Sequence, residues 1–417
     1  MELESKTTTI LDLPIEVLDL VLGELRQLKD KVNFGRAHPF LREVFIYHSR
    51  NRFNRISLQA IQKNELSFVL KWCGTKVTSI TCENGNGELT GEAVKLAGDY
   101  CPNLESLDIL ITAENVNILE ENMIKLQNLD EIEIYSPKSH SDVDVENLLR
   151  TFQQLPKLQS LLLNIYDWKI SNLTPLNNLT KVENLTIWRL DEPEEVDIFS
   201  NLWGNLTSLT IDTDSDVYNI LCDLCVKLET LEMRNLSDYY KEGIGYFPKL
   251  KHLYYDHLVG EGESYGLHAS LLSDKYNNQL ESLLSSKSEV STVEQAKRLA
   301  ELRALKTMHL CAIASSCIKY IASIPLEKLT ISYIDWEDLF IFLRECKTLR
   351  WLLVCFIEKP EQDFTYKLLN ILEANGVQPE KPFVLEINRR HYSSIGGIMP
   401  LMVSNSKRKL LKIKWRI

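Results

Sequence analysis

Cys222 and Cys225, in the stretch LCDLCVKL, have the spacing of a metal-ligand pair or a redox dithiol. A structural zinc site needs a second pair, and none of matching spacing occurs among the 9 cysteines. Cys225 also stands three residues ahead of Leu228, as Cys101 does ahead of Leu104 and Cys346 ahead of Leu349. Elsewhere that slot holds Leu155, Leu179, Trp203, Phe247 or Leu302, so it is an apolar core position that cysteine fills as a small hydrophobe. The glycine pairs at 243 and 245 and at 260 and 262 lack the third glycine and the strand-to-helix setting of a dinucleotide site. There is no phosphate-loop motif, and the 8 histidines include no HExxH pair and no set that completes a serine triad. Asn172, Asn178, Asn184, Asn205 and Asn235 head Asn-x-Ser/Thr triplets, which here are by-products of recurring Asn-Leu-Thr wording. The expectation is a chain with no catalytic residue, no metal site and no cofactor.

The elements that would position any site come from one pattern. An apolar residue, two variable ones, a second apolar residue, one variable and a third apolar residue recur as LESLDI from Leu104, LQSLLL from Leu158, LTSLTI from Leu206 and LEKLTI from Leu326. Further copies start at Phe53, Val77, Leu129, Val182, Leu228, Leu250, Leu305 and Leu349, with weaker ones at Leu280, Pro382 and Leu410. Successive starts lie 21 to 33 residues apart, the period of leucine-rich repeats. Alternation over six residues predicts a half-buried strand, and intervening stretches such as Ala60, Ile61, Leu66, Phe68, Val69 and Leu70 have helical spacing. Each unit is then strand, turn, helix and return, and cannot bury its own apolar face. Stacked units give an α/β leucine-rich-repeat solenoid, curved, with parallel strands on the concave side and helices on the convex side.

Residues 255–305 interrupt the rhythm and read as two degraded units. A strand is expected near Leu280, with LLSDKYNN as a short return and a helix in STVEQAKRLAELRAL capped by Ser291 with Glu294 three residues on. Residues 259–266 read as a glycine-bearing loop of the kind that folds over a ligand. The acidic run at 191–197 reads as a solvated loop, and the basic end SKRKLLKIKWRI as the polar face of the terminal strand.

A net charge of −11 and a sequence pI near 5.4 disfavour nucleic acid as a partner of the whole surface. No apolar run is long enough to span a bilayer, so no membrane association is expected. The N-terminal stretch MELESKTTTILDLP has neither a basic region nor a small-residue cleavage site. The expected setting is cytoplasmic or nuclear, with reduced cysteines.

Residues 11–25, LDLPIEVLDLVLGEL, hold too much apolar surface for a helix with one neighbour. Asp12, Glu16, Asp19 and Gly23 form one narrow stripe, with Leu13, Ile15, Val17, Leu18, Leu20, Val21, Leu22 and Leu25 around the rest. Pro14 suits a first helical turn and Glu16 the positive end of the dipole. A second short helix is expected at 31–36 and a third from His38 and Pro39. Such a trio is too small to stand alone, so one face docks on the first repeat and the other meets a separate protein.

LPIEVLDLVLGEL followed by LKDKVNFGRAHPFLREVF resembles the F-box, and the repeats that follow resemble those of F-box proteins with leucine-rich repeats. The sequence departs from the family where a Cys-Lys-x-Trp-like stretch reads Ala37, His38, Pro39, Phe40. The resemblance implies a tail at 1–10, an F-box at 11–47 and a leucine-rich-repeat domain at 48–417. It implies that Leu13, Pro14, Ile15, Glu16, Leu18, Val21 and Leu25, with Phe34 and Phe40, bind the Skp-family adaptor and, through it, a cullin. The chain would then be the substrate-recognition subunit of a Skp-cullin-F-box ubiquitin ligase that holds an unknown target protein. The alternative is a scaffold that binds the adaptor without promoting ubiquitination. For the target, residues flanking the second apolar position of each strand share one face, and Tyr135, Trp188, Arg234 and Tyr254 are its candidate anchors.

Overall fold

The computed structural model describes residues 9–82, 87–136, 143–164, 170–190, 196–213, 215–236, 245–257, 269–356, 364–388 and 409–416. They fall into two compact units, Met1–Trp188 with Asp197–Leu206, and Arg189–Val196 with Thr207–Ile417.

The first unit opens with three helices, α1 (Ile15–Glu24), α2 (Leu28–Ala37) and α3 (Pro39–Ser49). Pro14 is the residue that caps α1, one position before the expected first turn, and its carbonyl accepts from Val17 N and Leu18 N at 3.1 Å. Helix α2 starts three residues earlier than expected, and α3 opens on Pro39 as expected. Leu18, Leu22, Val32, Leu41, Val44 and Phe45 fill the space between them. The trio packs on the first repeat helix, α4 (Lys63–Cys73), with Phe45 edge-on to Phe68 at 5.3 Å and Arg42 over Trp72 at 4.0 Å. Gly35 allows this approach, because a Cβ there would lie 3.1 Å from both Phe45 Cβ and Phe68 Cζ.

Six parallel strands follow in chain order: β1 (Arg55–Ser57), β2 (Ser79–Thr81), β3 (Ser106–Leu110), β4 (Glu131–Tyr135), β5 (Ser160–Asn164) and β6 (Asn184–Leu190). Between them lie α5 (Gly87–Tyr100), α6 (Val116–Met123), α7 (Glu146–Phe152) and a 3-10 helix over Ile170–Asn178, and α8 (Ser200–Trp203) closes the unit. The second apolar residue of each repeat pairs with its counterpart in the next: Ile56, Ile80, Leu107, Ile132, Leu161 and Leu185. Alignment of the repeats in sequence is therefore the strand register in space.

The second unit repeats this plan with β7 (Ser208–Thr213), β8 (Thr230–Leu236), β9 (His252–His257), β10 (Ser282–Leu284), β11 (Glu289–Val290), β12 (Thr307–Ile313), β13 (Lys328–Tyr333), β14 (Trp351–Phe356), β15 (Phe383–Asn388) and β16 (Leu411–Arg416). All are parallel, β11 pairs with β12 beside the main path, and Leu209, Leu231, Leu253, Leu283, Met308, Leu329, Leu352, Leu385 and Ile413 run in register. The helices are α9 (Ser215–Leu224), α10 (Ala269–Tyr276), α11 (Val293–Ala300), α12 (Ile318–Ala322), α13 (Trp336–Glu345) and α14 (Phe364–Ala374). Just ahead of the strands, Glu229 pairs with Lys251 at 2.9 Å and Glu281 with Lys306 at 2.8 Å, so neighbouring units meet with opposite charges.

The strand near Leu280 is present as β10, whereas LLSDKYNN, read as a return, forms most of α10. The cap of α11 is Thr292, not Ser291: its side chain accepts from Gln295 N, and the Gln295 side chain accepts from Thr292 N at 3.1 Å. The shift by one residue follows from amide and hydroxyl geometry that Glu294, exposed on the next face, does not reach. The loop expected at 259–266 and the acidic residues 191–195 lie outside the described residues.

The cysteine slot is core. Cys101, Cys225 and Cys346 are at most 3% exposed, and Leu155, Leu179, Trp203, Phe247 and Leu302 in the same position are at most 5% exposed. Cys222 packs against the backbone of Gly245, where a Cβ would stand 1.9 Å from its Sγ. The second glycine of Gly-Ile-Gly thus makes room for the first cysteine of the Cys-x-x-Cys pair, and two apparent motifs are one packing contact. Gly245→Ala should lower stability by about 1–3 kcal/mol through overpacking, and Cys222→Ala in the same chain should restore most of it. Denaturant unfolding of the two single variants and the double variant checks this, and additive losses would contradict it.

Candidate functional site

The described residues expose thirteen large hydrophobic side chains, and five of them, Ile10, Leu11, Val17, Leu20 and Val21, fall within residues 10–21. Single exposed apolar residues are ordinary, but a cluster on one short segment makes that segment the candidate contact surface. Val17, Leu20 and Val21 stand three and four apart on one stripe of α1, with Leu20 72% exposed. Ile10 and Leu11 are presented by a turn closed by Asp12, whose carboxylate accepts from Thr9 N at 2.7 Å and Thr9 Oγ1 at 2.9 Å. Those two bonds hold the Asp12 carboxyl below the usual carboxylate range.

The opposite side of α1 faces inward through Leu18 and Leu22, both 0% exposed. Leu18, expected in the adaptor-binding set, is therefore removed from the surface, because it packs inside the trio. Pro14, Glu16 and Val21 of that set are exposed, and Leu13, Ile15, Leu25, Phe34 and Phe40 are half-buried. Val17, Leu20, Ile10 and Leu11 were not in the set. Helical spacing alone could have found the first two, since they share a stripe with Val21.

The polar stripe of α1 does not simply face solvent. Asp19 turns toward α3, where its Oδ1 lies 2.6 Å from His48 Nδ1, and Lys31 Nζ of α2 lies 3.1 Å from His48 Nε2. The arrangement fits a neutral imidazole that donates from Nδ1 to the carboxylate and accepts at Nε2 from the ammonium. One polar contact thus ties together the three helices that present the apolar stripe. Burial, with Arg52 and Lys31 nearby, pushes the His48 pKa down against the pull of Asp19.

Each target-anchor candidate lies on a strand. Tyr135 closes β4 half-buried, and its hydroxyl donates to Glu133. Arg234 on β8 is half-buried and donates from Nε to Glu232 Oε1 at 2.8 Å. Tyr254 on β9 is half-buried and registers with Glu232. Arg234 and Tyr254 thus lie on adjacent strands of the second unit, while Tyr135 belongs to the first. Trp188 belongs to β6, and its side chain lies outside the described residues. Asp108, at the alternate strand position between Ser106 and Leu110, is only 7% exposed, and its Oδ2 accepts from Cys82 N at 3.4 Å.

The conspicuous cysteines lack reactive character. Burial pushes the thiol of Cys101 up to about 12 and that of Cys222 up to about 11, and raises Cys225 as well. Thiols so raised stay protonated at neutral pH and are poor nucleophiles. Among the described residues no three His, Cys, Asp or Glu side chains converge on a metal position. An open polar hollow of about 520 Å³ lies at the strand entries of the first unit, beside Glu105, Asp130 and Gln159, and Lys157 there donates to Asn128 Oδ1 at 2.7 Å. Among the described residues no helix is long and apolar enough to cross a membrane.

No protein-family model and no curated protein sequence matches the chain. Solved structures similar to it include the leucine-rich repeat-containing protein LegL7 from Legionella pneumophila, with TM-score 0.43, 15% identity, and coverage of 70% of this chain and 97% of that one. An internalin, inlF, from Listeria monocytogenes gives 0.34 at 17% identity, covering 81% of this chain and 80% of its own. The Rad7 and Elc1 complex in yeast gives 0.37 at 14% identity, covering 96% and 92%. The leucine-rich-repeat fold of this chain rests on its own strand register, and likenesses at this level add nothing about function.

The His48 pKa lies below its ordinary 6.5, so the unfolded chain binds more protons between the two values. The contribution of His48 to stability is present above pH 6.5 and is lost as pH falls through the folded value. Unfolding of the wild type and of His48→Gln across that window should show a decline with falling pH that is shallower in the variant. Parallel curves would contradict the assignment of a neutral, buried imidazole.

Proposed function

We propose that the chain is a non-enzymatic substrate receptor, with the outer face of α1 docking on the Skp-family adaptor of a Skp-cullin-F-box ubiquitin ligase and the repeats holding a target protein. The observation that carries this is the exposed Val17, Leu20 and Val21 stripe on α1, backed by the Ile10 and Leu11 turn, within the segment whose Leu-Pro-x-Glu-Val-Leu pattern resembles the F-box. An apolar centre that the chain leaves uncovered suits a stable interface, which buries roughly 1,200–2,000 Å². Ubiquitin transfer is the work of other subunits. The receptor contributes proximity, raising the effective concentration of a target lysine near the charged conjugating enzyme. Within the second unit, β8 and β9 offer that target Arg234, paired with Glu232, and Tyr254, in register with Glu232.

Val17→Ala with Leu20→Ala tests the docking surface without touching the core, since both side chains are exposed. Removing central anchors costs about 2 kcal/mol or more, an affinity loss of roughly 30-fold. Titration of purified adaptor into wild type and variant should show that loss with thermal unfolding unchanged. Equal affinity would overturn the assignment. Adaptor binding with no cullin recruitment or target ubiquitination in reconstituted reactions would favour the scaffold instead.

A further inference from the structure

The charges around the α1 stripe are segregated. Residues 26–55 hold 8 Lys and Arg against 2 Asp and Glu in a chain of net charge −11, whereas residues 9–25 hold Asp12, Glu16, Asp19 and Glu24 with no Lys or Arg. Two of these cations, Lys31 and Arg52, sit where α1 meets α2 and α3. Lys31 of α2 and Arg52, three residues past α3, both bear on His48 and on each other. Asp19, the carboxylate facing them, already accepts from His48 Nδ1 at 2.6 Å. Two cations are thus left with one carboxylate that is already engaged. Partial burial, with Arg52 beside it, holds the Lys31 pKa below the usual lysine range. Arg52 is exposed and makes no side-chain hydrogen bond or ion pair among the described residues. A cation just past α3 suits the helix dipole, but that does not account for Lys31 and Arg52 converging on one histidine.

Asp19 lies about 100° round α1 from Leu20, so the cationic cluster opens on the flank of the apolar stripe. Resting on the docking function above, we propose that the partner receives α1 in an apolar groove whose rim carries carboxylates where it meets Lys31 and Arg52. The apolar centre sets affinity. The rim carboxylates complete the unbalanced charge, fix which way round the groove α1 lies, and speed encounter at low salt.

The test is the association rate with purified Skp-family adaptor, measured by stopped flow at low and high salt for wild type, Arg52→Gln and Arg52→Glu. Thermal unfolding of each variant confirms that the helices remain folded, and the neutral variant separates lost attraction from new repulsion. The wild-type rate should fall steeply with salt. At low salt Arg52→Gln should associate several-fold more slowly and Arg52→Glu on the order of 10-fold more slowly, with dissociation rates within about 2-fold and all three rates converging at high salt. A wild-type rate independent of salt, or rates unmoved by both substitutions while Leu20→Ala abolishes binding, would overturn the acidic rim and leave the docking function standing. Absence of adaptor binding by the wild type would overturn both. Self-association through this face, detected by sedimentation and abolished by Leu20→Ala, would assign the face to a second copy and overturn the proposal.

Discussion

No repeat in this chain can bury its own apolar face, and the rest of the structure follows from that constraint. Each strand presents one residue at its centre that must be covered by the same position of the next unit, and Ile80, Leu107, Ile132, Leu161 and Leu185 satisfy this in strict register. Burial of such side chains contributes about 1.5–3 kcal/mol each, so a slip by one residue would expose a whole row. The first repeat is where coverage must come from outside the pattern. It is supplied by Phe45, Arg42 and the gap at Gly35, which set three short helices on α4.

That duty occupies only one side of α1. Leu18 and Leu22 are committed to the fold, while Leu20, two residues from either, is 72% exposed. A helix so divided carries stability on one side and leaves the other free to recognise. The Asp19, His48 and Lys31 contact makes the division specific, because polar groups joined across three helices tolerate fewer arrangements than leucines alone.

The repeat architecture was legible because its signal is redundant: many copies at one spacing make strand positions readable even where single segments are ambiguous. The cysteine slot was legible for the same reason, since Leu155 and Trp203 in equivalent positions define its environment. Within the first forty residues there is no repetition to average over. Pattern matching placed Leu18 on the surface because Leu-Pro-x-Glu-Val-Leu marks a family, not a side of the helix. The turn of Asp19 toward His48 depends on a residue 29 positions away, which no local spacing encodes. Gly245 against Cys222 is likewise a contact between neighbouring units that periodicity brings near but does not specify. Strand alternation put Tyr135, Arg234 and Tyr254 at half-buried strand positions, while the pairing of Tyr135 with Glu133 and of Arg234 with Glu232 follows from side-chain geometry alone.

The central claim, that the outer stripe of α1 is where the adaptor seats, is tested most directly by the accessibility of one atom. In Leu20→Cys the new thiol replaces the most exposed large hydrophobic side chain of the trio, and peptide-resolved mass spectrometry separates it from the native cysteines. Its alkylation should be fast in the free protein and slowed at least 10-fold by saturating purified adaptor. Pre-alkylation with a bulky reagent should in turn block binding. Unchanged labelling with adaptor demonstrably bound would contradict the account and move the docking surface off α1.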